Sequence, residues 1–433
     1  MKPTTSRMLA AALCIVFILA VGVRYAEHLK DNDVWFHMAY GKYLLEHRTL
    51  VPDHTVYSWT PSDNRTIYCA WIPEIVLYLL YEAGGMYALF ALRYGAIAVF
   101  LLLAFLAVRK GRPPGAPLFW LVLTCGVLMA DKGISRSKPE LFSFLLMSVM
   151  VWAWFAFRLK PRERTGVLLL FPALMLLWAN SHGAFIFGLA FLGLVLAGEV
   201  LNHLIPSADR LDGRTLKLLA AACAASGAAV LLTPYGWAYP AQLLKDLVLD
   251  SGEFTGHMRS VLEYQSILSP DMLSLHYVDY AAVGLAVLGT LLSRSLKQGR
   301  GVDAGLLLVN AFFLVLYVQF IRATYLWAVV FVFSSLHLAA ALPRQAGRPP
   351  RPGVAAAANA AMVLVVLVFS ARAAYDAVSS PAFGFRLNYK SPAAEARFIG
   401  ASYPGRRVGN DYDCGAYLLW SLWPGHRVFI DTR

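Results

Sequence analysis

Residues 28–42 read HLKDNDVWFHMAYGK, and they put Asp31, Asp33 and His37 directly after an apolar run from Met8 to Val23. A carboxylate at a lipid–water boundary can act as a general base on a hydroxyl, for roughly 10²–10⁴ in rate. On a helix through this stretch, His37 lies at i+4 from Asp33 and shares its face, able to orient the carboxylate or touch a phosphate. Other polar residues recur at the ends of apolar runs. Arg136 and Lys138 lie in DKGISRSKPE, Asn180 and His182 in LLWANSHGAFIFG, Glu263 beyond LLTPYGW, and Arg322 in VQFIRATY. An arginine grips a phosphate through two parallel bonds, a lysine as a point charge. Singly, each has a plainer reading: Asn180 to Gly183 as a tight turn, Arg136 and Lys138 as interfacial anchors, Arg322 as a helix-end cap. Jointly, acid, imidazole and cation on one side fit a site that holds an anionic headgroup and removes a proton. Such groups near membrane depth are costly and default to function.

The elements that must position these residues follow from composition. The chain has 433 residues, 58% hydrophobic and only 15% charged, with mean hydropathy +0.56. Soluble domains carry roughly 25% charged residues, so this is a membrane protein. The apolar runs are continuous rather than alternating, which selects helices over an outer-membrane barrel. Eleven spans are expected, at 7–25, 86–108, 116–131, 139–158, 166–180, 183–203, 216–233, 278–293, 303–320, 323–342 and 355–372. Residues 71–83 (WIPEIVLYLLYEA) are apolar but too short to cross and read as a helix at the interface or against the bundle. Six short segments, the N-terminus and those near 109, 158, 210, 294 and 344, hold 18 of the 38 Lys and Arg. They are therefore read as cytoplasmic, with the polar candidates facing outward. Arg93, inside a span, reads as snorkelling or paired within the bundle. The first run reads as a retained span rather than a cleaved signal, since VGVRYAEHL offers no small-residue cleavage site.

The net charge of +12 belongs to this topology and not to nucleic acid. The five cysteines show no ligand spacing. Cys69 and Cys414 both fall outside, but nothing in the sequence requires them to pair. The large outward loops are 26–70 and 234–277, the second also holding His257, Arg259 and His276. Trp35, Phe36, Tyr57, Trp59, Tyr68 and Trp71 crowd the first; they read as an interfacial belt, or as platforms for a sugar. Residues 1–372 form the membrane domain, and 373–433 a small extracytoplasmic segment. Its pieces RRVGNDYDCGAYLLW and HRVFIDTR read as short strands or strand-helix pieces of a small α/β unit, incomplete where the chain stops after FIDTR.

With these residues in view, the chain resembles the GT-C superfamily of polytopic glycosyltransferases that use polyprenyl-phosphate-linked sugars. More narrowly, it resembles the bacterial members related to the mannosyltransferase and aminoarabinose-transferase group. The resemblance rests on DNDVWFHMAYGKYLLEHRTLVPDHTVYSW, CAWIPEIVLYLLYEAGG, SRSKPELFSFLL, WANSHGAFIFG and NDYDCGAYLLW…RVFID. It implies a catalytic base at the start of the first outward loop, best matched by Asp33, with Asp31 as metal ligand or hydrogen-bond partner. The motif here is Asp-Asn-Asp where relatives often have Asp-Glu, which leaves the division of roles open. It implies a cation near the donor phosphate (Arg136, Lys138 or Arg322) and inversion at the sugar carbon; substrate contacts from His37, Asn180, His182 and Glu263 are expected from the joint pattern of polar residues. Some relatives need a divalent metal, Mg or Mn, for which Asp31 and Asp33 are the ligands to consider; others do not. The acceptor is a glycan, a lipid or a protein, and the location a bacterial inner membrane with the site facing the periplasm. Two rival readings are a transporter or flippase of a lipid-linked saccharide, which predicts ionisable residues at the bilayer midplane, and a glycan polymerase or ligase built on loop 234–277.

Overall fold

The computed structural model describes residues 3–29, 31–60, 67–109, 114–205, 210–246, 262–299, 301–342, 352–388 and 390–430. In chain order the α-helices used below are α1 (Pro3–Arg24), α2 (Asp33–His47), α3 (Trp71–Arg109), α4 (Ala116–Met129), α5 (Asp131–Ile134), α6 (Pro139–Arg158), α7 (Leu170–Ala179) and α8 (Phe185–Leu204). Then come α9 (Gly213–Ala229), α10 (Ala238–Leu244), α11 (Pro270–Leu273), α12 (Tyr277–Lys297), α13 (Ala304–Gln319), α14 (Thr324–Ala341), α15 (Pro352–Val378), α16 (Ala393–Ser402) and α17 (Tyr412–Leu422).

Continuous apolar runs become helices because the lipid offers no partner for an open N–H or C=O. A helix occupies each of the eleven expected ranges. By length and apolar content, however, six described helices suffice to cross a membrane: Thr5–Arg24, Trp71–Arg109, Pro139–Arg158, Phe185–Leu204, Ile321–Ala341 and Gly353–Val378. Helices α4 and α13 are apolar but shorter, and α9, with Arg214 and Lys217, and α12, with Arg294 and Lys297, carry charge into their ends. The architecture is thus an all-α membrane fold. Its core runs along α14, where Leu326 to Phe333 are all buried against α4, α6 and α13.

The tail corrects the expected α/β segment. Among the described residues there is no strand, only isolated bridges: Glu27 with Phe383, Leu29 with Leu387, and Val428 with Ser58 and with Val408. The alternation in RVFID lasts too few residues to pair beyond one position, and it pairs with both the first loop and Val408: Val428 N–H donates to Tyr57 O (3.0 Å), Trp59 N–H to Val428 O (3.0 Å) and Val408 N–H to Arg427 O (3.1 Å). The stretch NDYDCGAYLLW supplies the helical piece, because the Asp411 side chain accepts from Cys414 N–H (2.9 Å) and caps α17. All five cysteines are free thiols.

Two features place the first loop. Residues 71–83 form the first half of α3, which breaks at Gly84–Gly85; Gly85 has φ +58°, a conformation glycine adopts without steric cost. This half packs along α2. At the crossing a Cβ on Gly41 would lie 2.0 Å from the Glu74 carbonyl oxygen, so only glycine permits the approach. On its other side α2 is covered by α17. Trp35 is 2% exposed, edge-on to Tyr417 at 5.0 Å. Tyr57 is likewise buried, its hydroxyl donating to Ala39 O (2.9 Å). These two aromatics serve the packing of the first loop.

Candidate active site

Helix α2 begins at Asp33, one residue after Asn32, whose side chain donates to Asp413 O (2.6 Å) and so ties the head of the helix to the tail. Asp31 folds back to accept from Asp33 N–H (3.0 Å). The two carboxylates meet the α5–α6 connection, where Lys138 stands in extended backbone just before Pro139 opens α6. Lys138 Nζ lies 2.8 Å from Oδ2 of Asp31 and 2.8 Å from Oδ2 of Asp33. Its third neighbour is Glu140 Oε1 at 3.8 Å. Arg136 approaches Asp31 Oδ2 with Nε at 3.5 Å and bonds Glu263 through Nη1. Arg322 bonds Glu140, reaches Glu263 Oε2 at 3.9 Å, and donates to the Tyr264 hydroxyl (2.7 Å). The result is one chain of alternating charge: Asp33, Lys138, Asp31, Arg136, Glu263, Arg322, Glu140.

Seven of the nine candidate residues take part in or touch this cluster or its rim: Asp31, Asp33, Arg136, Lys138, Glu263 and Arg322 directly, and His182 with Nε2 3.9 Å from Glu140 Oε1. His37 and Asn180 do not. His37 turns away to Glu74, Nδ1 to Oε1 3.2 Å. Asn180 is consumed by packing: its Oδ1 accepts from Trp71 Nε1 (2.8 Å), and its Nδ2 donates to Leu176 O and Leu232 O (2.9 Å each). Glu140 and Glu74 are the residues that sequence reasoning passed over. Each is a carboxylate beside or inside an apolar run, in SRSKPELFSFLL and WIPEIVLYLLYEA, and that anomaly was the available signal. Of the remaining residues of the second loop, His276 pairs with Asp279 on its own helix (3.3 Å), while His257 and Arg259 lie outside the described residues.

The surroundings split the two aspartates. Burial alone would raise the Asp31 carboxyl, but the Lys138 and Arg136 cations outweigh it and hold Asp31 below the ordinary carboxylate range. Asp33 goes the other way: burial first, then the adjacent negative charge of Asp31, push it up against the pull of Lys138. The N-terminus of α2 favours its anion by only about 0.3–1 kcal/mol. Lys138 is buried, which disfavours its charge, yet Glu140, Asp31 and Asp33 together raise it and keep it an ammonium. Asp33 is the more open of the pair, with 31% of its side chain exposed against 16% for Asp31. Its Oδ1 has no partner among the described residues. That is the geometry of a carboxylate able to accept a proton from a third molecule.

Burial pushes His182 down to about 4, with Arg322 and Lys138 adding to it and Glu140 opposing. The ring is therefore neutral near pH 7. Ser143 Oγ accepts from Trp178 Nε1 (2.8 Å) and lies within hydrogen-bond distance of His182 Nδ1 (2.8 Å). The other ring nitrogen, Nε2, faces Glu140 Oε1 at 3.9 Å.

Asp31 and Asp33 are also the residues to test for a divalent metal. The position between them, which an ion would take, is filled by Lys138 Nζ, and Arg136 stands at the outer side of Asp31. A divalent cation there would meet two fixed positive charges, those of Lys138 and Arg136. The donor set as arranged does not fit a metal.

No family model matches the chain, and no curated protein matches its sequence. Solved structures do match its fold. The archaeal oligosaccharyltransferase AglB from Archaeoglobus fulgidus, in complex with an inhibitory peptide and a dolichol-phosphate, aligns with a TM-score of 0.63 at 13% identity, over 96% of this chain and 64% of that one. This chain thus spans less than two thirds of that enzyme. ArnT from Cupriavidus metallidurans aligns with a TM-score of 0.57 in the apo state and 0.54 bound to undecaprenyl phosphate, at 14% identity, over 99% of this chain and 86% of that one. The fold of this chain is therefore the one it shares with these two structures.

Proposed function

We propose that the chain is an integral-membrane glycosyltransferase that moves a sugar from a polyprenyl-phosphate-linked donor to an acceptor hydroxyl, at the extracytoplasmic face of an inner membrane. The observation that carries this reading is the split pair Asp31 and Asp33, joined by Lys138 at the head of α2 beside Arg136 and Arg322. Asp33, raised and open on Oδ1, takes the proton from the acceptor hydroxyl as its oxygen bonds to the sugar carbon. The bond from that carbon to the phosphate oxygen breaks, and the phosphate leaves with the electron pair. Arg322 and Arg136 offset the charge developing on it, the largest single contribution such a site makes. Attack opposite the leaving phosphate inverts the sugar carbon. Glycan, lipid and protein remain the acceptor classes; residues 373–433 are the extracytoplasmic segment of the membrane domain 1–372, with helix α17 packed on α2.

The polymerase or ligase reading draws on the same cluster, because Glu263 of the second loop bonds Arg136. The transporter reading has less support: Arg93, a charge deep within a span, donates to the carbonyls of Tyr25 (3.1 Å) and Glu27 (2.9 Å) and so serves packing. The test is sugar transfer in membranes that contain the protein, with extracted lipid-linked sugars as donors. Asp33→Asn should abolish transfer at equal expression, and Asp31→Asn should leave a measurable residue. Normal transfer by both variants sinks the assignment of the base. Movement of lipid-linked sugar between leaflets without any transfer sinks the enzyme.

A further inference from the structure

Two aspartates spaced i and i+2 at the head of a helix have the makings of a divalent-ion site, yet here the chain supplies its own cation. Lys138 Nζ is equidistant, at 2.8 Å, from one oxygen of each carboxylate. The lysine is not a passing surface group. Its side chain is 5% exposed, and its backbone is anchored on both sides: its carbonyl accepts from Leu141 N–H (2.9 Å) at the start of α6, and the preceding Ser137 hydroxyl donates to Leu89 O (3.3 Å) on α3. Arg136 takes the outer face of Asp31, and Glu140 backs the ammonium at 3.8 Å.

Building on the proposed transferase reading, we infer that Lys138 is a resident counter-cation in the place of a divalent metal, so that the site works without Mg²⁺ or Mn²⁺ and rejects them. A Mg²⁺ ion demands near-octahedral oxygen ligation at about 2.0–2.1 Å and gives up its water reluctantly. Between Asp31 and Asp33 it would have to evict a buried ammonium that would then keep only Glu140 as a partner. It would also lie beside Arg136. Lys138 in its present place does the two things an ion would do there. It cancels the repulsion that otherwise parts two neighbouring carboxylates, and it holds Asp33 in position while leaving Oδ1 open. Lys138 is thus a positioning residue that acts through Asp33.

Mn²⁺ titration of the purified protein, followed by the electron paramagnetic resonance signal of free Mn²⁺, decides the matter without reference to activity. The wild type should leave the signal unquenched, and Lys138→Ala, which empties the space between the carboxylates, should quench it; Asp31→Asn added to Lys138→Ala should restore it. Quenching by wild type that is lost on Asp31→Asn overturns the inference. So does a folded Lys138→Ala that binds no Mn²⁺. In the transfer assay, wild type should be indifferent to EDTA, and Lys138→Ala should fall by roughly 10²-fold and recover in part with Mn²⁺. EDTA-sensitive transfer restored by Mn²⁺ also overturns it. The wild-type titration needs no variant to fold. Absence of transfer from every donor would count against the transferase alone, since Mn²⁺ binding is read without any transfer taking place.

Discussion

His37 Nδ1 sits 3.2 Å from Glu74 Oε1, and both side chains are almost wholly buried where α2 crosses the first half of α3. One helical turn after Asp33, the imidazole faces inward to α3. The pair fixes the rotation of α2 and thereby the direction in which Asp33 points. Glu74→Ala leaves the ring nitrogen buried without its partner, at a cost of about 1–3 kcal/mol. Glu74→Gln keeps an acceptor and should cost less. The thermal midpoint in detergent should fall in that order. An unchanged midpoint in Glu74→Ala would remove the pair from any account of how α2 is held.

Gly41 makes the same crossing possible. A Cβ there meets the Glu74 carbonyl at 2.0 Å, so Gly41→Ala must push α2 off α3. Overpacking of this kind costs about 1–3 kcal/mol. Because Asp33 rides on α2, transfer should drop further than stability alone accounts for. Equal activity per folded molecule would show that the crossing does not set the site.

The two aspartates make a pH prediction with a definite sign. Asp33 must be ionised to act as base, and burial and Asp31 raise it while Lys138 lowers it. The acid limb of transfer should therefore lie above the ordinary carboxylate range. Removing the negative charge in Asp31→Asn lowers Asp33, so the limb should move to lower pH as the maximal rate falls. A limb that stays put or moves upward contradicts the assignment of the base.

His182 predicts acid sensitivity of the fold. Its folded-state value of about 4 lies below the unfolded value of 6.5. Above pH 6.5 the neutral ring costs nothing; between 6.5 and 4 only the unfolded chain takes the proton, so stability falls with pH, by about 3 kcal/mol in all. Thermal midpoints measured across that range should drop, and His182→Gln should flatten the slope. Parallel slopes for the two proteins would place the acid sensitivity elsewhere.

Glu263 occupies both arginines that are assigned to the phosphate. An anionic donor must displace it. Glu263→Gln should then lower KM for the donor several-fold with a smaller change in kcat. A loss as deep as that of Asp33→Asn would instead move the base to the second loop and favour the polymerase or ligase reading.

Much of the site was legible because its residues are anomalous where they stand. Asp31, Asp33, Lys138 and Arg322 are charges at the ends of apolar runs, and membrane insertion tolerates few of those without a reason. What the sequence does not show is which other partners a candidate has: the side-chain amide of Asn180 joins the end of α7 to Trp71 at the start of α3 and to Leu232 just beyond α9. One reading went astray for a physical cause. The short alternation in the tail reads as strand, yet one bridged residue is not a ladder.

The sequence by itself determined that the chain is a bundle of apolar helices, where those helices lie, and which polar residues gather at one set of their ends. These are local properties: backbone groups in lipid must bond within their own segment, so the length and content of each run decide its form. Only the tertiary structure decided who pairs with whom. Lys138 finds Asp33 across 105 residues, Arg136 finds Glu263 across 127, and Arg322 finds Glu140 across 182. Those meetings depend on the rotation and crossing of helices, set by packing such as Gly41 on α3, and no spacing along the chain encodes them. That an ammonium stands between the two aspartates was therefore invisible until the helices were in place.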